Sequence, residues 1–294
     1  MTTIIEVDRL SLRYNEVTAL DEVSFTLTGG KVYGLLGRNG SGKTSLLSVL
    51  AGYRKESGGT VRVGGRPVFD NAEVTSQVCL VRGTGDAASS GIKVADVLTF
   101  ASYLRESWDS TYAAELVEMF SLPLNKNVGA LSHGRRSALG IIIGLASRTP
   151  LTMFDESYLG LDAPSRYKFY DALLAEAMSQ PRTMIISTHL IEEVSALFEE
   201  VLILDEGRLV LHDEAETLRA AGSAVTGDAE SVDRFVAGLR VLGEKRLGRT
   251  KSAMVYGELD EDRRAEARAA GLDLGPLALQ DLFVHLTEPT GDRS

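Results

Sequence analysis

The chain has 294 residues, enough for one large domain or two smaller ones around a buried core. Hydrophobic residues make up 44% and charged residues 24%, the balance of a globular protein, which excludes a disordered or fibrous chain. Lysine and arginine number 31 against 41 acidic residues, and the net charge of −10 argues against a protein that lives by binding nucleic-acid phosphates, so no nucleic-acid partner is expected.

The opening residues MTTIIEVDRL bring in Glu6 and Asp8 early and lack the basic start and apolar core of a secretion signal, so a cytoplasmic chain is expected. Apolar positions alternate in Ile4 to Val7 and again in Val23 to Leu27, predicting half-buried strands. After the Gly29-Gly30 turn, the apolar run Lys31 to Leu36 stops at a glycine-rich segment, Gly37 to Thr44, and a helical pattern follows from Ser45 to Leu50. Val61 to Val63 and Gln77 to Val81 add strands. Cys79, the single cysteine, sits among apolar neighbours in the latter and reads as a buried strand thiol in a chain with no intrachain disulfide. A polar, glycine-rich run from Arg82 to Gly91 predicts a loop.

From Lys93 to about Leu145 the apolar residues recur at three and four, as in Val94, Val97, Leu98, Ala101 and Leu104, predicting a helical insert over about 83–147. The longest uncharged stretch, Ser137 to Ser147, falls well short of the roughly 20 residues a membrane-spanning helix needs. Leu151 to Phe154 and Thr183 to Thr188 are short apolar runs on either side of a helix around Arg166 to Met178. Such runs alternating with helices indicate a parallel sheet covered on both faces, with function at the strands' carboxyl ends. Val201 to Leu204, the turn Asp205-Glu206-Gly207 and the strand Arg208 to Leu211 follow.

Around Ala220 to Gly227 the texture changes, which places a boundary between residues 1–219 and a small α+β accessory domain, 220–294. Strands near Ala224 to Thr226, Arg240 to Leu247 and Ser252 to Tyr256 are expected there. They alternate with helices over Ser231 to Gly238, Asp260 to Ala270 and Leu279 to Leu286. Leu279, Leu282, Phe283 and Leu286 share one helical face, suited to the core of that domain or to a dimer contact.

Gly37, Arg38, Asn39, Gly40, Ser41, Gly42, Lys43 and Thr44 satisfy the phosphate-loop pattern G-x-x-x-x-G-K-[ST], between a predicted strand and a predicted helix that Ser45 continues. Glycines let successive backbone N–H groups face one anion, and the helix N-terminus adds positive potential. Lys43 would reach the outer phosphates of a nucleotide, while Thr44 offers its hydroxyl to Mg²⁺. Asp155 and Glu156 close the strand that starts at Leu151. There Asp155 can hold Mg²⁺ through water, and Glu156 can polarise a water for in-line attack on a γ-phosphate. Asn125-Lys126-Asn127-Val128 lacks the aspartate of a guanine-reading tetrad, so ATP is expected over GTP.

From about Ile4 to Leu211 the order and spacing of these segments resemble the ATP-binding subunits of ABC transporters. The resemblance implies an α/β fold, a P-loop NTPase of ABC type having a mixed sheet with a parallel core and the helical insert as a subdomain. Leu131-Ser132-His133-Gly134-Arg135 is similar to the family's signature, in which Ser132 and the Gly134 amide would cap the γ-phosphate bound by an opposite subunit; Ser132 alone reads equally as a helix N-cap. His189 matches the family's switch histidine at the γ-phosphate. Asp162, in Leu159-Gly160-Leu161-Asp162, matches its dimer loop, or caps the helix that follows. Tyr14 stands where the family stacks an aromatic on adenine, and by itself reads also as a half-buried edge tyrosine.

Two departures stand out. His133-Gly134-Arg135 replaces the usual Gly-Gly-Gln, and Arg82 replaces a glutamine that senses Mg²⁺ and the membrane partner. A guanidinium has donors but no lone pair for a metal, so Arg82 is expected to contact phosphate or the permease instead. These departures resemble the branch that serves ABC-2-type exporters. The resemblance implies an ATPase forming a homodimer, or a dimer with a paralogous subunit, peripheral on the cytoplasmic face of the cell membrane, where it drives a separate transmembrane permease. A soluble ABC-type ATPase and a non-hydrolysing nucleotide sensor are the alternatives.

Overall fold

A computed structural model describes residues 4–83, 91–257 and 259–287; most of the glycine-rich run after Arg82, residues 84–90, lies outside them. The chain divides into two compact units. One comprises the described part of Met1–His189 with Leu204–Leu209, the other Leu190–Ile203 with the described part of Val210–Ser294.

In the first unit, β1 (Ile5–Tyr14) and β2 (Val17–Leu27) form a long antiparallel hairpin. The β1 residues Ile5, Val7, Leu10 and Leu12 are buried, and the step from two to three between Val7 and Leu10 coincides with a register shift and a left-handed Arg9, φ 45°. An extra residue of this kind is a β-bulge, and it breaks the alternation that marks a strand in sequence. The short apolar run then appears as β3 (Val32–Gly37), buried along its whole length, and leads into α1 (Lys43–Leu50). β4 (Gly58–Val63) pairs antiparallel with β1, and β5 (Arg66–Pro67) extends that sheet to the order β2-β1-β4-β5.

After α2 (Ala72–Thr75) comes β6 (Val78–Arg82), in which Cys79 is buried and its thiol pKa pushed up by burial. The helical insert supplies α3 (Val94–Leu104), α4 (Ser110–Met119) and α5 (His133–Ala146). β7 (Leu151–Asp155), α6 (Ala163–Ser179) and β8 (Thr183–Thr188) follow. Strands β3, β8, β7 and β6 lie in that order as parallel neighbours. Both β7 and β8 are buried at every position, as a sheet covered on two faces requires. Helix α5 packs closely on it because Gly144 has no side chain: a Cβ there would stand 2.6 Å from Val81 and 2.9 Å from the Phe154 ring.

The second unit contains α7 (Ile191–Val194), most of β9 (Glu200–Asp205) and β10 (Arg208–Glu214), and α8 (Ala215–Ala220). The accessory segment is β11 (Gly222–Asp228), α9 (Ala229–Val236), β12 (Arg240–Leu247), β13 (Thr250–Tyr256), α10 (Glu261–Ala269), β14 (Asp273–Pro276) and α11 (Leu279–Thr287). Its four strands form one antiparallel sheet in the order β12-β13-β11-β14, a split βαββαβ arrangement. Val225, Val232, Phe235, Ala253, Val255 and Ala267 belong to its core. Leu279, Leu282 and Phe283 of α11 are buried, and Asp281 meets Lys245 of β12 at 3.1 Å.

Candidate functional site

The carboxyl ends of β3, β7 and β8 carry the charged residues singled out above. Beyond Gly37 the chain turns sharply, with the Ser41 amide donating to the Arg38 carbonyl at 3.1 Å. Gly40 and Gly42 take φ of 85° and 103°. A Cβ at Gly42 would stand 2.7 Å from the Ala19 carbonyl oxygen, so this position needs glycine for both conformation and space. Lys43 opens α1, and its ammonium curls back to donate to the Gly37 carbonyl at 2.7 Å and the Arg38 carbonyl at 3.1 Å. The lysine is only 5% exposed; burial lowers its pKa, and the Glu156 and Asp155 charges oppose that shift. Ser41 is buried with its hydroxyl unpaired among the described residues, while Arg38, Asn39 and Thr44 are exposed.

Asp155 is buried at the end of β7, where one carboxylate oxygen accepts from the Ser187 hydroxyl at 2.7 Å. Glu156 leaves the strand in a left-handed conformation, φ 47°, with its carboxylate beside Lys43 and His189. One oxygen lies 3.6 Å from Lys43 Nζ and 3.4 Å from His189 Nδ1. Lys43, Asp155, Glu156 and His189 therefore form one cluster from three neighbouring parallel strands. Backbone amides, an ammonium and hydroxyls are donors for a polyphosphate, and the two carboxylates are acceptors for a cation. Among the described residues no group of three or more His, Cys, Asp or Glu side chains is placed to hold a metal, so a divalent ion fits here only with phosphate and water oxygens completing its shell.

Tyr14, at the end of β1, brings its hydroxyl to 3.5 Å from Ser45 Oγ in the first turn of α1, and the Arg54 guanidinium lies 5.5 Å above its ring. Arg82 donates to Ser48 Oγ of α1 at 2.8 Å, and its guanidinium lies 5.3 Å from the Tyr53 ring centroid. The Ser48 hydroxyl in turn donates to the Thr44 carbonyl at 2.5 Å, so Arg82 reaches the loop residue through an intermediary. Ser48 and Arg54 carried no motif by which sequence could single them out.

The signature residues lie apart from this cluster. Ser132 caps α5, its hydroxyl accepting from the Arg135 amide at 3.4 Å, and Asp162 caps α6, accepting from the Ser165 amide at 3.0 Å. Hydrogen bonds from Ser165 hold the Asp162 carboxyl below its usual range. Gly134 approaches Gly160 so closely that a Cβ would stand 2.5 Å from the Gly160 carbonyl oxygen, while His133 packs against Gly160. Ser132, His133, Gly134 and Asp162 line an open cavity of about 600 Å³ whose other walls include Arg135 and Lys168. None of Gly37 to Thr44 lines it.

Residues 20–158, which hold the loop, the signature and both carboxylates, match the family model described as ABC transporter. The chain is 28% identical over 324 aligned positions to the daunorubicin/doxorubicin resistance ATP-binding protein DrrA of Streptomyces peucetius, covering 100% of this chain and 95% of that one. It is 29% identical over 211 residues to the Nod factor export ATP-binding protein I of Burkholderia lata, covering 70% of this chain and 69% of that one. Among solved structures, a dimeric ATP-binding cassette in a post-hydrolysis state bound to ADP and Pi superposes with a TM-score of 0.62. It is 19% identical, covering 72% of this chain and 98% of that one, a likeness of fold. Phosphate loop, paired carboxylates and signature thus occur within an ABC transporter domain that residues 20–158 form, in a chain that resembles resistance and export ATP-binding proteins along most of its length.

Proposed function

We propose that the chain is the ATP-hydrolysing subunit of an ABC exporter of the ABC-2 type, closing on ATP as a homodimer or with a paralogous subunit to drive a separate membrane permease. The observation that carries this reading is the Glu156 carboxylate held between Lys43 and His189 at the mouth of the phosphate loop. In the nucleotide-bound state Lys43 leaves the Gly37 and Arg38 carbonyls for the β- and γ-phosphates. The loop amides from Arg38 to Lys43 and the Ser45 hydroxyl hold the remaining oxygens, and Tyr14 stacks on adenine. Thr44 and Asp155 would hold Mg²⁺, and the ion would supply neutralisation of phosphate charge there. Glu156 orients and polarises the attacking water, and His189 braces that carboxylate and contacts the γ-phosphate.

The separation of the signature cavity from the loop supports a head-to-tail dimer. Ser132 and the Gly134 amide of one chain complete the γ-phosphate site of the other, with Asp162 at the seam. His133 adds bulk at that contact. Arg82, bonded to Ser48, relays the permease's position to Thr44. Export is supported by the Nod factor relative. No helix among the described residues is long and apolar enough to cross a membrane. We place the subunit peripherally on the cytoplasmic face.

The test is steady-state Mg-ATP hydrolysis of the purified chain beside Glu156→Gln, with molar mass by light scattering in the presence and absence of ATP. Loss of turnover by about a hundredfold or more in the variant, with an ATP-dependent dimer, is the expected result. A wild type that binds no ATP, or a variant that turns over normally, overturns the proposal.

A further inference from the structure

Tyr14 is held from two sides. Its hydroxyl meets Ser45 at 3.5 Å, and the Arg54 guanidinium covers its ring at 5.5 Å from the centroid. The main chain sets the position of Arg54. After α1, Gly52 takes φ 73°, and a Cβ there would stand 2.8 Å from the Thr75 side chain. The amides of Tyr53 and Arg54 then both donate to the Ser48 carbonyl, at 2.9 and 3.3 Å. Arg54 is thereby fixed to the same helix that carries Thr44 and Ser45, and its side chain extends over the tyrosine. Its guanidinium makes no ion pair among the described residues, although the chain carries an excess of carboxylates.

We propose that Arg54 is a positioning residue for the nucleotide base: stacked on one face of Tyr14, it holds the ring so that the opposite face is ready for adenine. This rests on the ATP-binding reading above and extends it to a residue outside the phosphate loop. A half-exposed aromatic side chain that must be ordered when the base arrives weakens binding, and a ring ordered beforehand does not. A planar guanidinium suits the task because it lies flat on a ring, which an ammonium cannot do. Exposed cation–aromatic pairs contribute enough to change an affinity two- to fivefold.

The experiment compares calorimetric binding of Mg-ATP and of inorganic tripolyphosphate to the full chain, as wild type, Arg54→Ala and Arg54→Lys. Salt of about 0.15 M screens bare charge beyond roughly 8 Å. Arg54→Ala is expected to weaken Mg-ATP two- to fivefold and leave tripolyphosphate unchanged, with Arg54→Lys between the two. In a Tyr14→Ala background, Arg54→Ala is expected to have no further effect on Mg-ATP. Equal weakening of both ligands would make Arg54 a phosphate contact or a purely structural residue, and overturns the proposal. So does unchanged or tighter ATP binding by Arg54→Ala, the latter meaning that the guanidinium occupies the face the base needs. A wild type that binds neither ligand defeats the ATP-binding reading itself; a wild type that binds both, with an indifferent Arg54→Ala, defeats only this inference.

Discussion

At the scale of single residues, Glu156 joins a strained backbone to a carboxylate placed between Lys43 and His189. It is a non-glycine residue in the left-handed region, and its half-buried carboxylate sits beside a buried ammonium. Left-handed backbone costs a residue bearing a Cβ roughly 1–2 kcal/mol, and strain of this kind concentrates at functional sites. Replacing the side chain therefore separates chemistry from conformation. Glu156→Ala and Glu156→Gly both remove the carboxylate and are expected to lose turnover alike. The glycine variant should nevertheless be the more stable of the two by about 1 kcal/mol, read from chemical denaturation, because only the alanine retains the strained Cβ. The phosphate loop and the Asp155-Glu156 pair were legible in sequence because fixed spacing and flanking strands announce them. The strain at Glu156 and the approach of Arg54 to Tyr14 were not, since the first goes with a backbone bond to distant Ser187 and the second joins residues far apart in the chain.

At the scale of elements, a buried ionic network joins the helical insert to the sheet. Arg148, just beyond α5, bonds both oxygens of Glu176 in α6 at 2.5 Å and reaches Asp109, the N-cap of α4, at 3.1 Å. Arg182, before β8, meets Glu176 at 3.3 Å and donates to Thr152 of β7 at 3.1 Å. Glu176 is 3% exposed and is the shared counter-charge of the buried Arg182 and the partly buried Arg148. Glu176→Ala leaves both without it and should destabilise the chain by about 3–5 kcal/mol in chemical denaturation. Beside this network, burial together with the Glu176 carboxylate pushes the Tyr112 phenol up to about 12. Because the folded state holds that proton more tightly than the unfolded chain, the contribution to stability is complete below about pH 10 and is lost as pH rises through about 12. Stability measured from pH 9 to 12 should fall less steeply in Tyr112→Phe. Strands β7 and β8 were legible as uninterrupted apolar runs. The outer part of β1 was hidden by its bulge at Arg9, and β14 by its brevity and its Gly275-Pro276 ending, tolerable because that strand pairs only with β11. Nothing in sequence marks Glu176 as buried, because a lone glutamate in a helix reads as solvated.

At the scale of the whole molecule, sequence marked a change of texture near Ala220, and the accessory strands and helices it predicted are present, joined by β14. The order β12-β13-β11-β14 was not legible, because pairing between strands far apart in the chain leaves no local period to read. This sheet has its own core, in which Val225, Val255 and Phe235 meet, and none of those residues belongs to the phosphate-loop unit. Separate cores allow separate local unfolding, since opening free energy follows contiguous packed units rather than the chain as a whole. Phe235 is 3% exposed, and Phe235→Ala removes its ring from that core at a cost of about 3–5 kcal/mol. Hydrogen exchange on the full-length variant should show the amides of β11, β13 and β14 exchanging faster while those of β3, α1 and β7 keep their protection. Mg-ATP binding should stay at the wild-type value. A uniform loss of protection across both sets would mean that the two cores open together, and the accessory sheet would then be part of the cooperative unit that holds the phosphate loop.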